Sequence, residues 1–294
     1  MLTALKDEAE IVIVINSKDI EKNKANIFQC QLIKDTGVSA SPDVYSFMLK
    51  NGEIKEIQCC EIKDYPRFPY RGLHVDVSRH FRSVDFLKKQ IDAMAAFKMN
   101  RMHLHLTDAA GWRLQIDAYP RLTEFAAWRP QETWKEWWAG DRQYCLEGSA
   151  DAHGGYYTKE QMRELVEYAR ERHIEIIPEI EMPSHSEEVF AAYPELGCTG
   201  GPYDVWGRWG IADDVLCVGK ESTMVFLENV LAEVAELFPS EYVHIGGDEC
   251  PKVRWETCPH CQAKIAELGY KDDEKYKAEH YLQGYVTNRM EKFL

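Results

Sequence analysis

Apolar residues follow two rhythms along this chain. Up to about residue 66 they come in short β-branched or aromatic runs. Ile11-Val12-Ile13-Val14-Ile15 is one, and Ile27 to Ile33 and Tyr45 to Leu49 are others. Asn51-Gly52 is a hairpin-type turn signal between the last of these and Ile54 to Ile57. The pattern predicts a small β-rich or α+β domain over residues 1–66. It ends at the Pro-punctuated stretch Asp64-Tyr65-Pro66-Arg67-Phe68-Pro69. From residue 67 onward, apolar strands alternate with helical stripes. Gly72–Val77, Arg101–Leu106, Ile174–Ile180 and Tyr242–Ile245 read as strands. Ser83 can cap a helix with Leu87, Ile91, Met94 and Ala95 at helical spacing. Thr158-Lys159-Glu160-Gln161 matches a capping box ahead of Met162, Leu165, Val166 and Ala169. Further stripes run from Phe226 to Val234 and from Leu282 to Phe293.

Strands that alternate with helices predict a parallel sheet. Near-continuous apolar strands mean that both faces are buried. A doubly wound sheet and a barrel both satisfy this. The long segments after the second and third strands, about 107–157 and 181–221, favour a barrel, because barrel enzymes build their sites at the carboxyl ends of their strands. The expected fold is therefore α/β, of (β/α)8 TIM-barrel type. Only four of the eight strands are legible, so an incomplete barrel of four β/α units is expected over residues 67–294. Trp112, Trp128, Trp134, Trp137 and Trp138 fall in the first long segment, and Trp206 and Trp209 in the second. Their flat faces suit a pyranose ring, but packing of the loops is the expected role for most of them.

Charge narrows the partners. The 294 residues carry a net charge of −14, which argues against a nucleic-acid groove and an anionic membrane surface. There is no run of eighteen apolar residues, so no membrane span is expected. The N-terminus has no basic start followed by an apolar core, so no signal peptide is visible. No phosphate-binding glycine loop is present, although Gly154-Gly155 precedes a helix. The nine cysteines do not form a small-disulfide pattern. Cys250, Cys258, Cys261 and either His260 or His244 offer four ligands on paper. The second half of a zinc motif is missing from that set, so no metal is expected. Cys198 and Cys217 flank one loop and can pair in an oxidising compartment.

The sharpest segment is His244-Ile245-Gly246-Gly247-Asp248-Glu249. A strand runs into two glycines, which let a ligand approach the backbone. Two adjacent carboxylates follow. Like charges held close drive one pKa up, which separates a protonated acid from an ionised partner. Diguanylate cyclases also carry Gly-Gly-Asp-Glu, but there Phe follows within a hairpin, whereas here Cys250 follows a parallel strand.

Four motifs in order carry a resemblance. Pro69-Tyr70-Arg71-Gly72-Leu73-His74-Val75-Asp76-Val77-Ser78-Arg79-His80-Phe81 resembles the opening strand of the family 20 glycoside hydrolases, the β-N-acetylhexosaminidases. Asn100 to Asp108 resembles their second strand, Glu179 to His185 their third, and His244 to Glu249 their fourth. The likeness covers about residues 60–294. It implies hydrolysis of terminal β-linked N-acetylhexosamine by substrate-assisted catalysis with retention at C1, and no cofactor or metal. Asp248 would hold the substrate's acetamido group, and Glu249 would act as acid and then base. Arg71 would bind two sugar hydroxyls. Asp108 and His185 would lie at the site, with Glu181 in support, although the family often has Asp and Gly where this chain has Glu181 and Ser184. The implied partner is an N-acetylhexosamine-containing glycan or chitobiose-like substrate. Family members are often exported.

Two alternatives remain at this level. His103 and His105, with His185 and His244, can also suggest a metal-dependent barrel hydrolase. A half-barrel with open edges can instead be an inactive module that binds sugar or associates with itself as a homo-oligomer.

Overall fold

The computed structural model describes residues 11–15, 27–32, 43–48, 60–64, 66–139, 143–201, 203 and 213–294. They fall into two compact units. The first comprises Met1–Leu73, Lys89–Arg101 and Arg170–Ile174; the second comprises His74–Lys88, Met102–Ala169 and Glu175–Leu294.

In the first unit, β1 (Ile11–Ile15) pairs antiparallel with β4 (Cys60–Asp64), and β2 (Ile27–Leu32) with β3 (Asp43–Met48). The three strand runs read from the sequence fall on β1, β2 and β3. The turn at Asn51-Gly52 and the run Ile54 to Ile57 lie outside the described residues.

Residues 66–294 are organised by three strands in the order β7-β6-β5: β5 (Gly72–Asp76), β6 (Arg101–His105) and β7 (Glu175–Glu179). Their hydrogen bonds fix a parallel sense. Asn100 N donates to Arg71 O at the amino ends, while Val77 N donates to His105 O and Leu106 N to Glu179 O at the carboxyl ends. The expected fourth strand is reduced to one parallel bridge between His244 and Glu179. His244 N donates to Pro178 O at 2.9 Å and Ile180 N to His244 O at 3.0 Å. Among the described residues no strand lies on its other side, so a ladder forms along one edge only.

Local signals set the helices. α1 (Val84–Ala96) starts after Ser83, whose Oγ accepts from Phe86 N at 3.3 Å. Before α2 (Lys159–Arg170), the capping box is reciprocal. Thr158 N donates to Gln161 Oε1 at 2.9 Å, and Gln161 N to Thr158 Oγ1 at 3.2 Å. The short α3 (Glu187–Ala192) follows β7, and α4 (Glu221–Leu237) buries Phe226, Leu227, Val230, Leu231 and Val234. α3 was not read from the sequence, nor were Arg121–Glu124, Trp134–Ala139, α5 (Val253–Thr257) and α6 (Pro259–Leu268). α6 nevertheless carried a signal, with proline at its first position and Gly269 beyond its end at φ 70°. α7 (Ala278–Phe293) buries Leu282, Val286 and Met290 at spacings of four.

The long segment after β6 is held by a buried cation. Arg113 is fully buried and donates to the carbonyls of Val77, Ser78, Ala127 and Gly155 at 2.6 to 3.2 Å. Burial, with Arg129 adding to it, pushes its pKa down to about 10. Trp112 is also buried, with Nε1 donating to Leu114 O at 2.6 Å, and therefore packs rather than faces a ligand. Trp206 and Trp209 lie outside the described residues.

The cysteines also differ from expectation. Cys198, Cys217, Cys258 and Cys261 converge as free thiols, and Cys198 and Cys217 are not bridged. Cys250 lies outside this group, with its Sγ 3.7 Å from Pro251 O.

Candidate active site

Each strand of the sheet delivers a charged side chain just past its carboxyl end. After β5, Asp76 Oδ1 accepts from Ser78 N at 2.9 Å and Arg79 N at 3.0 Å, a tight turn that aims Arg79. After β6 comes Asp108, and after β7 come Glu181 and His185. The bridge at His244 leads through Gly246 and Gly247 to Asp248 and Glu249. Gly246 has φ 61°, and a Cβ there would lie 2.1 Å from Glu181 Oε2, so the position requires glycine twice over. The loop backbone is clamped: Ser184 Oγ donates to Asp248 O at 2.5 Å and Gln283 Nε2 to Gly247 O at 2.7 Å.

The side chains form one chain of charge. Arg79 reaches Asp108 at 2.5 Å and Asp76 at 3.0 Å. Asp108 is met by His105 Nε2 at 3.1 Å and lies 3.4 Å from His185 Nδ1. The other face of the imidazole, His185 Nε2, lies 3.1 Å from Glu249 Oε2 and 3.9 Å from Asp248 Oδ2. Asp248 and Glu249 keep 61% and 56% of their side chains exposed, so this end of the network is open to a ligand. His185 and Glu249 have φ of 52° and 49°. A non-glycine residue in this region costs on the order of 1 kcal/mol or more. The other two such residues, Lys98 and His173, follow helix ends. The pair His185 and Glu249 is strained where it meets.

Environment divides the carboxyls. Burial pushes Glu181 up to about 9, helped by its hydrogen bond to Asp248 and by that residue's charge. Near neutral pH Glu181 is therefore a protonated acid that donates to Asp248. Burial also disfavours ionised Asp108, but hydrogen bonds from His105 and His185 and the charge of Arg79 outweigh it and hold the pKa at about 2. The bond to Asp108 in turn raises His185 to about 9. The site thus carries an imidazolium that bonds the ionised Asp108 on one side and meets Glu249 on the other.

Of the residues expected from the sequence, the structure brings together Asp108, Glu181, His185, Asp248 and Glu249. It does not bring Arg71. That residue precedes β5, at the amino end of its strand, whereas the acids follow carboxyl ends. Its Nε donates to Lys98 O at 2.6 Å and its NH1 to Phe68 O at 2.6 Å and Pro69 O at 3.1 Å. The sugar-binding role given to it rests on the resemblance alone. The arginine at the site is Arg79, which the sequence reading quoted without assigning. The rule that barrel sites lie at carboxyl ends would have selected it, since it follows the strand and Arg71 precedes it.

His103 and His105 do not form an independent ligand set with His185. They gather with His244 around Glu179. His103 Nε2 and His105 Nδ1 lie 2.7 and 2.5 Å from Oε2, and His244 Nδ1 lies 2.9 Å from Oε1. Although Glu179 is desolvated, the three imidazoles hold it well below the usual carboxylate range. One of them, His105, also bonds Asp108, so this cluster braces the site from beneath.

Residues 68–294 match the family model for glycosyl hydrolase family 20, catalytic domain. The chain belongs to glycosyl hydrolase family 20. This family 20 chain is 47% identical over 234 residues to a beta-hexosaminidase of Porphyromonas gingivalis, covering 80% of this chain and 27% of the relative. Among solved structures, a beta-N-acetylhexosaminidase from Bacteroides fragilis aligns with TM-score 0.63 and 37% identity over 80% of this chain and 41% of that one. The family 20 exo beta-N-acetylglucosaminidase from Vibrio harveyi, in complex with N-acetylglucosamine, aligns with TM-score 0.67 and 29% identity over 98% of this chain and 43% of that one. Family 20 neighbours of this likeness imply a TIM-barrel catalytic domain, in agreement with the α/β fold expected from the sequence. The chain spans 27 to 43% of the length of the first curated relatives it matches.

Proposed function

We propose that this chain carries the acid–base half of a retaining β-N-acetylhexosaminidase, which removes terminal non-reducing N-acetylhexosamine from glycans or chitobiose-like substrates. Residues 67–294 are read as the first four β/α units of the barrel, and residues 1–66 as a small domain ahead of them. The observation that carries the reading is the open end of the charge network. Two adjacent carboxylates protrude beside a cationic His185, which is itself anchored to Asp108 and Arg79.

The proposed chemistry follows from those positions. Asp248 accepts the N–H of the substrate's 2-acetamido group and steers its oxygen toward C1. The acetamido oxygen forms a bond to C1 while the C1–O glycosidic bond breaks, and Glu249 gives its proton to the departing oxygen. Water then attacks C1, Glu249 takes its proton, and the acetamido oxygen leaves with its electron pair. Configuration at C1 is retained. Protonated Glu181 holds Asp248 by a hydrogen bond, and His185 orients Glu249. Arg79, with donors left over beyond its two carboxylate partners, faces the sugar hydroxyls. The names of the relatives, beta-hexosaminidase and exo beta-N-acetylglucosaminidase, support this substrate class.

The test is hydrolysis of an aryl β-N-acetylglucosaminide by the 294-residue chain and by a chain extended through four further β/α units. Turnover by the extended chain that Glu249→Gln abolishes supports the reading. A barrel that turns over the substrate equally well with Gln at 249 overturns it. Turnover by the extended chain alone favours the second reading for residues 1–294 by themselves, an inactive module. Its open strand edges are the observation behind that reading.

A further inference from the structure

Four cysteines far apart in sequence meet at one point. Cys258 and Cys261 form a Cys-x2-Cys unit at the start of α6. Cys198 and Cys217 come from the segment between β7 and α4. Their sulfurs lie 3.5 Å apart for Cys217 and Cys258, 3.8 Å for Cys217 and Cys261, and 3.9 Å for Cys198 and Cys261. All four lie within 4.8 Å of one another. Sulfurs held about 2.3 Å from a central zinc sit on a tetrahedron whose edge is about 3.8 Å. A disulfide would need about 2.05 Å between two of them. Three of the six sulfur–sulfur distances match that edge, and none exceeds 4.8 Å.

We propose that Cys198, Cys217, Cys258 and Cys261 bind a single structural Zn2+. The sequence reading had named Cys250 with either His244 or His260 as the remaining ligands. The fold instead supplies the missing half from the loop after β7.

The surroundings are built for thiolates. Cys217 and Cys261 are fully buried, and Cys258 is nearly so. Cys258 is the N-cap residue of α6, where free backbone amides and the helix dipole favour negative sulfur. Gly219 packs against the Cys-x2-Cys turn so closely that a Cβ would fall 2.2 Å from His260 C and 2.4 Å from Cys261 N. Its backbone amide donates to Cys261, the kind of outer contact that orients a metal ligand. The bridge between Gly197 and Leu216 brings the other two cysteines side by side, with Cys217 N donating to Leu196 O at 2.8 Å. Lys220 ties this turn down through the carbonyls of Glu195 and Gly197 at 2.8 and 2.9 Å, and its charge favours the Cys217 thiolate.

Four protein ligands leave no open position, so the ion serves structure rather than catalysis. It would fasten the segment that carries His185 to the helices that follow Asp248 and Glu249. Trp255 Nε1 to Leu216 O at 3.0 Å and Arg254 to Asp214 at 2.8 Å are the other fastenings across the same junction.

Metal analysis of the 294-residue chain, expressed in zinc-supplemented medium and passed through gel filtration, tests this directly. We expect one zinc per chain, released by an organomercurial thiol reagent. We also expect Co2+ to replace it and give the visible bands and near-ultraviolet charge transfer of a tetrahedral tetrathiolate. The double variant Cys258→Ser/Cys261→Ser should lose the metal, whereas Cys250→Ser should retain it. Wild-type protein that is folded, zinc-free and gives no tetrathiolate cobalt spectrum overturns the proposal. So does peptide mapping that finds disulfides among these four residues, or iron in place of zinc.

Discussion

Two arginines eight positions apart divide the chemistry of β5 between its ends. At the amino end, Arg71 donates to the carbonyls of Phe68, Pro69 and Lys98. At the carboxyl end, Arg79 faces carboxylates, Asp76 and Asp108, and beyond them a charged imidazole and two exposed acids. A guanidinium that satisfies carbonyls closes a turn. A guanidinium that fixes a buried carboxylate sets the charge of everything bonded to that carboxylate. The same side chain is thus a structural clamp at one end and part of an electrostatic relay at the other. Position relative to the strand decides which, because loops at the two ends do different work in this fold.

The strongest test of that division is at the acids. In the chain extended through four further β/α units, as proposed above, Glu249→Gln should lower kcat roughly a hundred- to ten-thousand-fold, the usual worth of a general acid–base group. Asp248→Asn should cost roughly a hundred- to a thousand-fold, the scale of one lost electrostatic anchor. Both are read on an aryl β-N-acetylglucosaminide. Wild-type rates in either variant would remove the catalytic assignment.

Next comes the contrast between the arginines. Arg79→Ala should reduce kcat/KM by roughly ten- to a hundred-fold, as expected for charged hydrogen bonds. Arg71→Ala should leave kcat/KM per folded molecule within about twofold, since the bonds it loses are structural, while costing stability on the order of 1 kcal/mol. Equal losses of activity at both positions would erase the distinction. Denaturant titration beside steady-state kinetics separates the two effects.

A smaller effect concerns pH. Glu181 has a folded-state pKa of about 9 against an ordinary 4.5. Between those values the folded chain holds a proton that the unfolded chain has released, so stability falls as pH rises through this window. His185, raised from 6.5 to about 9, contributes stability that is complete below pH 6.5 and lost as pH climbs through 9. Thermal unfolding should therefore show Tm declining from pH 5 to pH 9. In Glu181→Gln the decline should be shallower but still present, because the raised Glu187, Glu188, His105 and His185 continue to contribute. An unchanged slope would mean that Glu181 is ionised in the folded protein.

Much of this was legible in the chain. The runs at β5, β6 and β7 were read almost to the residue; in β7 apolar continuity reports a strand buried on both faces, whereas no residue of β5 is buried. The capping box at Thr158 and the cap at Ser83 were legible because they are local bonds over three positions. The run Tyr242–Ile245 was misjudged in extent, since pairing on one edge only is not a property of that segment. The site was partly legible. Asp248 and Glu249 stood out by adjacency after two glycines, and Asp108 and His185 by resemblance. Arg71 was named on the resemblance, and Arg79 in the same motif was left without a role. Arg113 gave no sequence signal, since its burial depends on carbonyls from four separated stretches of chain.

Sequence by itself determined the alternation of strand and helix, the caps, and the presence of paired acids behind a Gly-Gly turn. These are short-range matters, governed by side-chain shape and by hydrogen bonds a few residues apart. Tertiary structure alone decided that His185 is held charged, that Glu181 keeps its proton, and that four scattered thiols share one point. Each of those depends on burial and on charges brought close from distant parts of the chain, and electrostatic energy follows distance in space rather than separation in sequence.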